Sequence, residues 1–185
     1  AQALQQAAVA YMRQVMGPKR EHAVSALGRL ARLSPDMWQR LSGSFDARLG
    51  QLLSALFPQK LEYSGMEAVR ALILRAAATV SQAGVKLETA VALLVTLMFV
   101  LGHGAATDPM YAWIPAALSD PNIPNPQHRA EKLYEQTRSY AGRSHRQGVY
   151  AARATGLNIA SPGARGIEHS LNLRGNAWKD AIRRI

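Results

Sequence analysis

One segment of this chain restricts its fold more than any other. Residues 90–101 have the sequence AVALLVTLMFVL, without a charge and with a single polar side chain, Thr96. A helix that is apolar on every side must be covered by other helices or lie in a membrane. The helix predicted over residues 86–102 would span about 25 Å, whereas a hydrocarbon core is about 30 Å thick. The segment therefore predicts a buried central helix; the alternative is a membrane-inserting, pore-forming-like hairpin with the preceding helix.

The remaining sequence predicts helices that can cover the central one. Apolar residues recur at spacings of three and four over residues 19–33, 44–56 and 66–82, the pattern of helices with one buried face. No alternation typical of β-strands continues for a useful length. With 48% hydrophobic residues the chain can bury a sizeable core. We therefore expect an all-α fold, an irregular bundle of five or six helices around a buried central helix at about residues 86–102.

A proline-rich stretch divides the chain. Residues 119–126, SDPNIPNP, contain too much proline for regular structure. They predict a boundary between a helical core domain, residues 1–120, and a basic C-terminal extension, residues 121–185, which packs on the core as part of one structural unit. Asn125 and Pro126 begin a predicted helix that ends near Tyr140. Beyond Gly142, recurring glycines predict short helices separated by loops.

Positive charge is concentrated in the last quarter of the chain. The formal net charge is +10, and residues 1–135 contribute 13 basic and 10 acidic side chains. Residues 136–185 contribute nine basic side chains against two acidic ones. Such a region favours an anionic partner: an acidic protein first, with anionic lipid or nucleic acid as alternatives. A solvated surface that keeps the protein soluble is the simpler interpretation.

The arginines of this basic region follow a helical spacing. Four residues from 143 to 153 lie at offsets of 0, 3, 7 and 10, which places them on one face of a helix. Arginine pairs with carboxylate or phosphate through a planar fork, and tyrosine can stack or donate a hydrogen bond. No helix-turn-helix or other nucleic-acid motif accompanies them. The residues predicted to contact the partner are Arg138, Arg143, Arg146, Tyr150, Arg153, Arg165 and Arg174.

Polar residues with catalytic potential directly follow the central helix. His103 lies between two glycines, Asp108 is five residues later, and Tyr111 and Trp113 come next. A histidine and an aspartate on one loop can form a base and its orienting group, with tyrosine as an acid. His103, Asp108 and Tyr111 are therefore the candidate catalytic residues of an alternative function, a hydrolase acting on an anionic polymer. Ordinary helix capping by the histidine and the aspartate is the competing interpretation.

Several kinds of site are missing from the sequence. The chain has no cysteine, which excludes disulfides, thiolate metal sites and cysteine nucleophiles. It also lacks a glycine-rich phosphate loop, a G-x-S-x-G elbow and an H-E-x-x-H motif. The acidic residues that follow His128 at helical spacing have no matching set elsewhere in the sequence. No metal site, cofactor or small-molecule ligand is therefore predicted.

These patterns together favour a non-enzymatic protein-interaction module that binds an acidic partner through its arginine-rich C-terminal region. The excess of 17 arginines over five lysines is typical of GC-rich bacterial genomes. A chain that begins Ala-Gln-Ala is compatible with a removed signal peptide, so we expect a bacterial protein of the secreted or secretion-associated, virulence type. The cysteine-free composition fits cytosol and periplasm equally well.

Overall fold

The computed structural model describes residues 2–154, apart from the side chains of Pro35 and Asp36, and every regular element in this part is helical. The all-α prediction is confirmed. A π-helical turn, Met12–Met16, continues the first helix, and a 3-10 turn, Pro109–Tyr111, precedes the seventh. The eight α-helices are α1 Gln2–Tyr11, α2 Glu21–Ala31, α3 Pro35–Arg40, α4 Phe45–Leu56, α5 Pro58–Gln82, α6 Glu88–Leu101, α7 Trp113–Leu118 and α8 Pro126–Ala154.

The apolar segment forms the buried helix at the centre, as predicted. In α6 nine of the 14 residues are buried, and α5 packs along it, with α2, α4 and α8 making smaller contacts. The hydroxyl of Thr96 donates a hydrogen bond to the carbonyl oxygen of Ala92 at 2.8 Å, so the only polar side chain of the segment has a partner. Across residues 2–154, no helix combines the length and the apolar character needed to cross a membrane.

The long helix α5 is broken where the sequence suggested that it would begin. Gly65 has φ 70° and ψ 170°, a left-handed conformation that interrupts the helical path between Pro58 and Gln82. The hydroxyl of Ser64, directly before the break, donates a hydrogen bond to the carbonyl oxygen of Lys60 at 2.8 Å. The expected break is therefore present, but the preceding residues are helical as well because Pro58 begins the helix at its first turn.

The predicted end of the last helix near Tyr140 is wrong, because α8 continues to Ala154. It packs along α2, and its glycines lie at the contact between the two helices. A Cβ atom on Gly148 would lie 2.7 Å from the Cγ2 atom of Val24, and one on Gly28 would lie 2.7 Å from the His145 ring. These glycines permit close helix approach, so they do not end the helix. The Nδ1 atom of His145 also lies 2.9 Å from the Val24 carbonyl oxygen.

Arg129 joins the ends of two helices to α8. Its Nη1 group donates hydrogen bonds to the carbonyl oxygens of Ala83, 2.8 Å away, and Leu118, 3.1 Å away. These carbonyls follow or end α5 and α7, and helix ends leave carbonyls without intrahelical partners. A single guanidinium therefore caps both helices.

Replacing Arg129 by methionine is expected to lower the free energy of unfolding by about 1–3 kcal/mol, because two partly buried carbonyls lose a charged donor. Urea unfolding of the full chain measures the change. Arg153→Met is the matched control: this arginine is exposed, and the described residues give it no hydrogen bond or ion pair. Its substitution should change the free energy of unfolding by no more than about 0.5 kcal/mol. Equal effects of the two substitutions would contradict the capping role.

Candidate functional site

The exposed side of α8 carries the residues that the helical spacing placed together. At 100° per residue, Arg143, Arg146, Tyr150 and Arg153 fall within one quarter of the helix circumference, on its solvent-exposed side. All four are exposed, and the side chain of Tyr150 is 68% accessible. We call these four residues the arginine face. It is held by a helix whose other side is buried, so the arginines are presented on a fixed backbone.

The positive charges of the arginine face have no carboxylate partner within residues 2–154. The ion pairs of this part of the chain are Arg48–Glu88, Arg70–Asp46, Arg70–Glu67 and Lys132–Asp120. Arg143 makes only a neutral contact, in which its Nη1 group donates to the hydroxyl of Ser139 at 2.5 Å. Within residues 2–154, no ion pair therefore neutralises the arginine face.

The remaining predicted contact residues are placed differently. Arg138 is exposed beside the arginine face, and its Nε group donates to the carbonyl oxygen of Ala31 at 3.3 Å. Its Cζ atom lies 6.0 Å from the centre of the Tyr134 ring. Arg138 thus touches α2 as well as solvent. Arg165 and Arg174 lie outside the described residues.

The three candidate catalytic residues are only partly brought together. The carboxylate of Asp108 accepts a hydrogen bond from the backbone N–H of Met110 at 2.9 Å, which caps the 3-10 turn. The backbone N–H of Tyr111 donates a hydrogen bond to the carbonyl oxygen of Asp108 at 2.9 Å, so the two residues are neighbours. Burial, together with Tyr140 and the charge of Asp108, raises the pKa of Tyr111. His103 is exposed and has no hydrogen bond to either residue in the region that the structure describes. No base and orienting pair is formed between His103 and Asp108.

Aromatic rings near this loop attach it to α8. The ring of Trp113 stacks on Tyr140 with centres 5.5 Å apart, and Tyr111 meets the same ring edge-on at 5.8 Å. Such pairs are favourable beyond the area that they bury. Because the faces of Tyr140 and Trp113 cover each other, Trp113 serves to pack α7 against α8. On that side the Trp113 ring has no free face for a ligand.

Titratable side chains elsewhere do not form a metal site. Between residues 2 and 154, no group of three His, Asp or Glu side chains is placed to hold a metal ion. Glu131 and Glu135, the acidic residues that follow His128, lie beyond the first turn of α8, the former half-buried and the latter exposed.

The side chain of Lys60 has unusual surroundings that no sequence motif indicates. The Nζ atom of Lys60 lies 5.4 Å from the centre of the Phe99 ring and 5.9 Å from that of Phe57, both of which are buried. Burial lowers the pKa of Lys60. Proximity of a lysine to two aromatic rings depends on how α5 and α6 pack, so spacing along the chain does not reveal it.

No protein-family model, curated protein or solved structure matches this chain. The fold and the site are therefore interpreted from their own residues.

Proposed function

We propose that this protein is a non-enzymatic protein-interaction module that binds an acidic segment of a partner protein through the arginine face of α8. The observation that carries the proposal is a set of three exposed arginines on one helical side, without a carboxylate partner in residues 2–154. Exposed like charges repel one another, and an acidic partner would remove that repulsion.

The composition of the arginine face favours a protein partner. Arginine and tyrosine are the residue types most enriched at the energetically important centres of protein interfaces, and Tyr150 lies between Arg146 and Arg153. From Arg143 to Arg153 the helix rises about 15 Å, the length of a short helix or extended segment in a partner. The arrangement suits carboxylates spaced along such a segment.

The loop after α6 supports a binding role over a catalytic one. His103, the candidate base of this loop, has no orienting partner within the described residues, and Asp108 already caps the following turn. General acid–base catalysis needs the base within hydrogen-bond reach of its partners. The arginine face needs no such assembly, because its side chains already point outward on a packed helix.

The test is the affinity of the full chain for a short oligoglutamate peptide, measured by isothermal titration calorimetry at increasing NaCl. We expect measurable binding that weakens steadily with salt, because the contacts are between exposed charges. Changing both Arg143 and Arg153 to glutamate should reduce the affinity roughly tenfold or more, since two attractive contacts become repulsive.

A charge-matched control separates the arginine face from the general charge of the protein. Arg13 and Arg75 are also exposed and lie on the π-helical turn and on α5. Changing both to glutamate alters the net charge equally and should reduce the affinity by less than about threefold. Equal losses in the two double variants, or tighter binding to duplex DNA or anionic vesicles than to the peptide, would contradict the proposal.

A further inference from the structure

A notch beside the arginine face has the chemistry of an oxyanion site. It lies between the C-terminal end of α2, at Ala31, and the stretch of α8 from Tyr134 to Arg146, and has a volume of about 570 Å³. Its lining is mainly polar and includes Arg138, Ser139 and Arg146. Tyr134 is buried at its base, where the hydroxyl donates a hydrogen bond to the carbonyl oxygen of Leu33.

Two guanidinium groups, those of Arg138 and Arg146, line this notch, and that of Arg143 contacts one of its lining residues. Long helical side chains lean toward the N-terminus of their helix, which brings Arg143 back toward Ser139. Arg143 reaches back to the hydroxyl of Ser139, which lines the notch. The Nη1 atom of Arg146 lies 3.6 Å from the place that a Cβ atom on Gly142 would occupy. Arg138 uses its Nε group on Ala31, which leaves its two Nη groups without a partner in the described part of the chain.

The charge at the notch is not balanced by the residues that line it. Glu135 is the only carboxylate in the lining, and no ion pair joins it to an arginine within residues 2–154. The lining therefore sets two guanidiniums against one carboxylate, and Arg143 adds a third positive charge next to Ser139. A phosphoryl group carries about −1.5 to −2 charges at pH 7 and three acceptor oxygens, whereas a carboxylate carries one charge. The phosphoryl group is the better complement in charge and in hydrogen-bonding geometry.

We infer that the notch binds a phosphorylated side chain of the partner segment, with Arg138 and Arg146 as its ligands. The inference rests on the proposed function, because the notch adjoins the arginine face and would anchor one residue of the same partner. Glu135 argues for a single phosphoryl group on a peptide, since its carboxylate would repel the next phosphate of a nucleic-acid strand. It also offers an acceptor to a backbone N–H of the peptide.

The experiment uses the full chain and a peptide of alanine and glycine with one central phosphoserine, which carries no other acidic side chain. Calorimetry should detect binding of this peptide and none of its unphosphorylated form at the same concentrations. Arg146→Gln should weaken binding roughly tenfold or more, because Arg146 has no hydrogen bond in residues 2–154 whose loss would disturb the fold. Arg153→Gln, farther along α8, should weaken it by less than about threefold. Glu135→Gln should strengthen binding, because it removes the one repulsive charge.

The outcomes separate this inference from the proposed function. Binding of oligoglutamate without binding of the phosphoserine peptide would contradict phosphoryl binding in the notch. It would still support binding of an acidic segment by the arginine face. Binding of the phosphoserine peptide alone would support phosphoryl binding in the notch and contradict the proposed binding of an acidic segment by the arginine face. Equal binding of phosphorylated and unphosphorylated peptides, or equal losses for Arg146→Gln and Arg153→Gln, would overturn the inference. Tighter binding of duplex DNA than of the phosphoserine peptide would do so as well.

Discussion

Replacing Leu94 by alanine is expected to lower the free energy of unfolding by about 2–5 kcal/mol, the largest effect of any substitution considered. Leu94 lies in the middle of α6 and is 0% exposed. Its truncation removes the apolar contacts of a fully buried side chain and leaves a cavity that the surrounding helices fill only partly. Urea unfolding of the full chain, followed by far-ultraviolet circular dichroism, measures the loss.

A leucine on the surface provides the control for this result. Leu74 of α5 is 75% exposed, so Leu74→Ala changes the same number of atoms without opening a cavity. It should alter the free energy of unfolding by no more than about 0.5 kcal/mol. If the two leucine variants were equally stable, α6 would not be the centre of the core.

The second large effect concerns a glycine in α8. Gly148→Ala should destabilise the protein by about 1–3 kcal/mol, although alanine is the better helix former. The added methyl group would lie 2.7 Å from the Cγ2 atom of Val24, a buried β-branched side chain with little rotamer freedom. The helices α2 and α8 would have to separate. Thermal unfolding should show a lower Tm, and Val24→Ala in the same chain should recover part of the loss.

Gly142, six residues earlier in the same helix, should respond in the opposite direction. A Cβ atom there would make ordinary contacts, 3.6 Å from Nη1 of Arg146 and 3.9 Å from Cβ of Ala31. Gly142→Ala should therefore stabilise the protein by about 0.5–1 kcal/mol through the lower conformational entropy of the unfolded chain. If both glycine variants changed the free energy of unfolding in the same direction, close packing against α2 would not be the reason for the glycine at position 148.

Helical periodicity predicts most of the core from sequence. The apolar segment at residues 90–101 predicts a buried helix, and the structure buries it as α6 because no other helix of the described chain is as uniformly apolar. The helical spacing over residues 44–56 corresponds to α4, and Ser44 caps this helix, its hydroxyl accepting a hydrogen bond from the N–H of Ala47 at 3.3 Å. Both signals are local, so one stretch of sequence contains them entirely.

The continuation of α8 beyond Tyr140 depends on tertiary packing and escapes such local signals. Glycine is a poor helix former, and its low propensity predicts a break at Gly142 and Gly148. The structure keeps the helix because Gly148 allows α8 to approach Val24 on α2. Whether a glycine breaks a helix or permits close packing depends on its neighbour from another part of the chain.

The candidate site, too, is only partly predictable from local sequence, because part of it depends on tertiary packing. Spacing alone places Arg143, Arg146 and Arg153 on one side of a helix, and the structure keeps that side exposed. The convergence of Arg138 and Arg146 around a notch closed by Ala31 involves residues more than 100 positions apart in sequence. That part of the site required the packing of α2 against α8.

The most direct measurement of the central claim is a titration of the isotope-labelled full chain with oligoglutamate, followed through the arginine Nε–Hε signals by nuclear magnetic resonance. The arginine face predicts that the signals of Arg143, Arg146 and Arg153 shift together and saturate, and that those of Arg13 and Arg75 stay in place. Shifts spread evenly over all exposed arginines, or confined to arginines outside α8, would contradict an acidic-partner site on this helix.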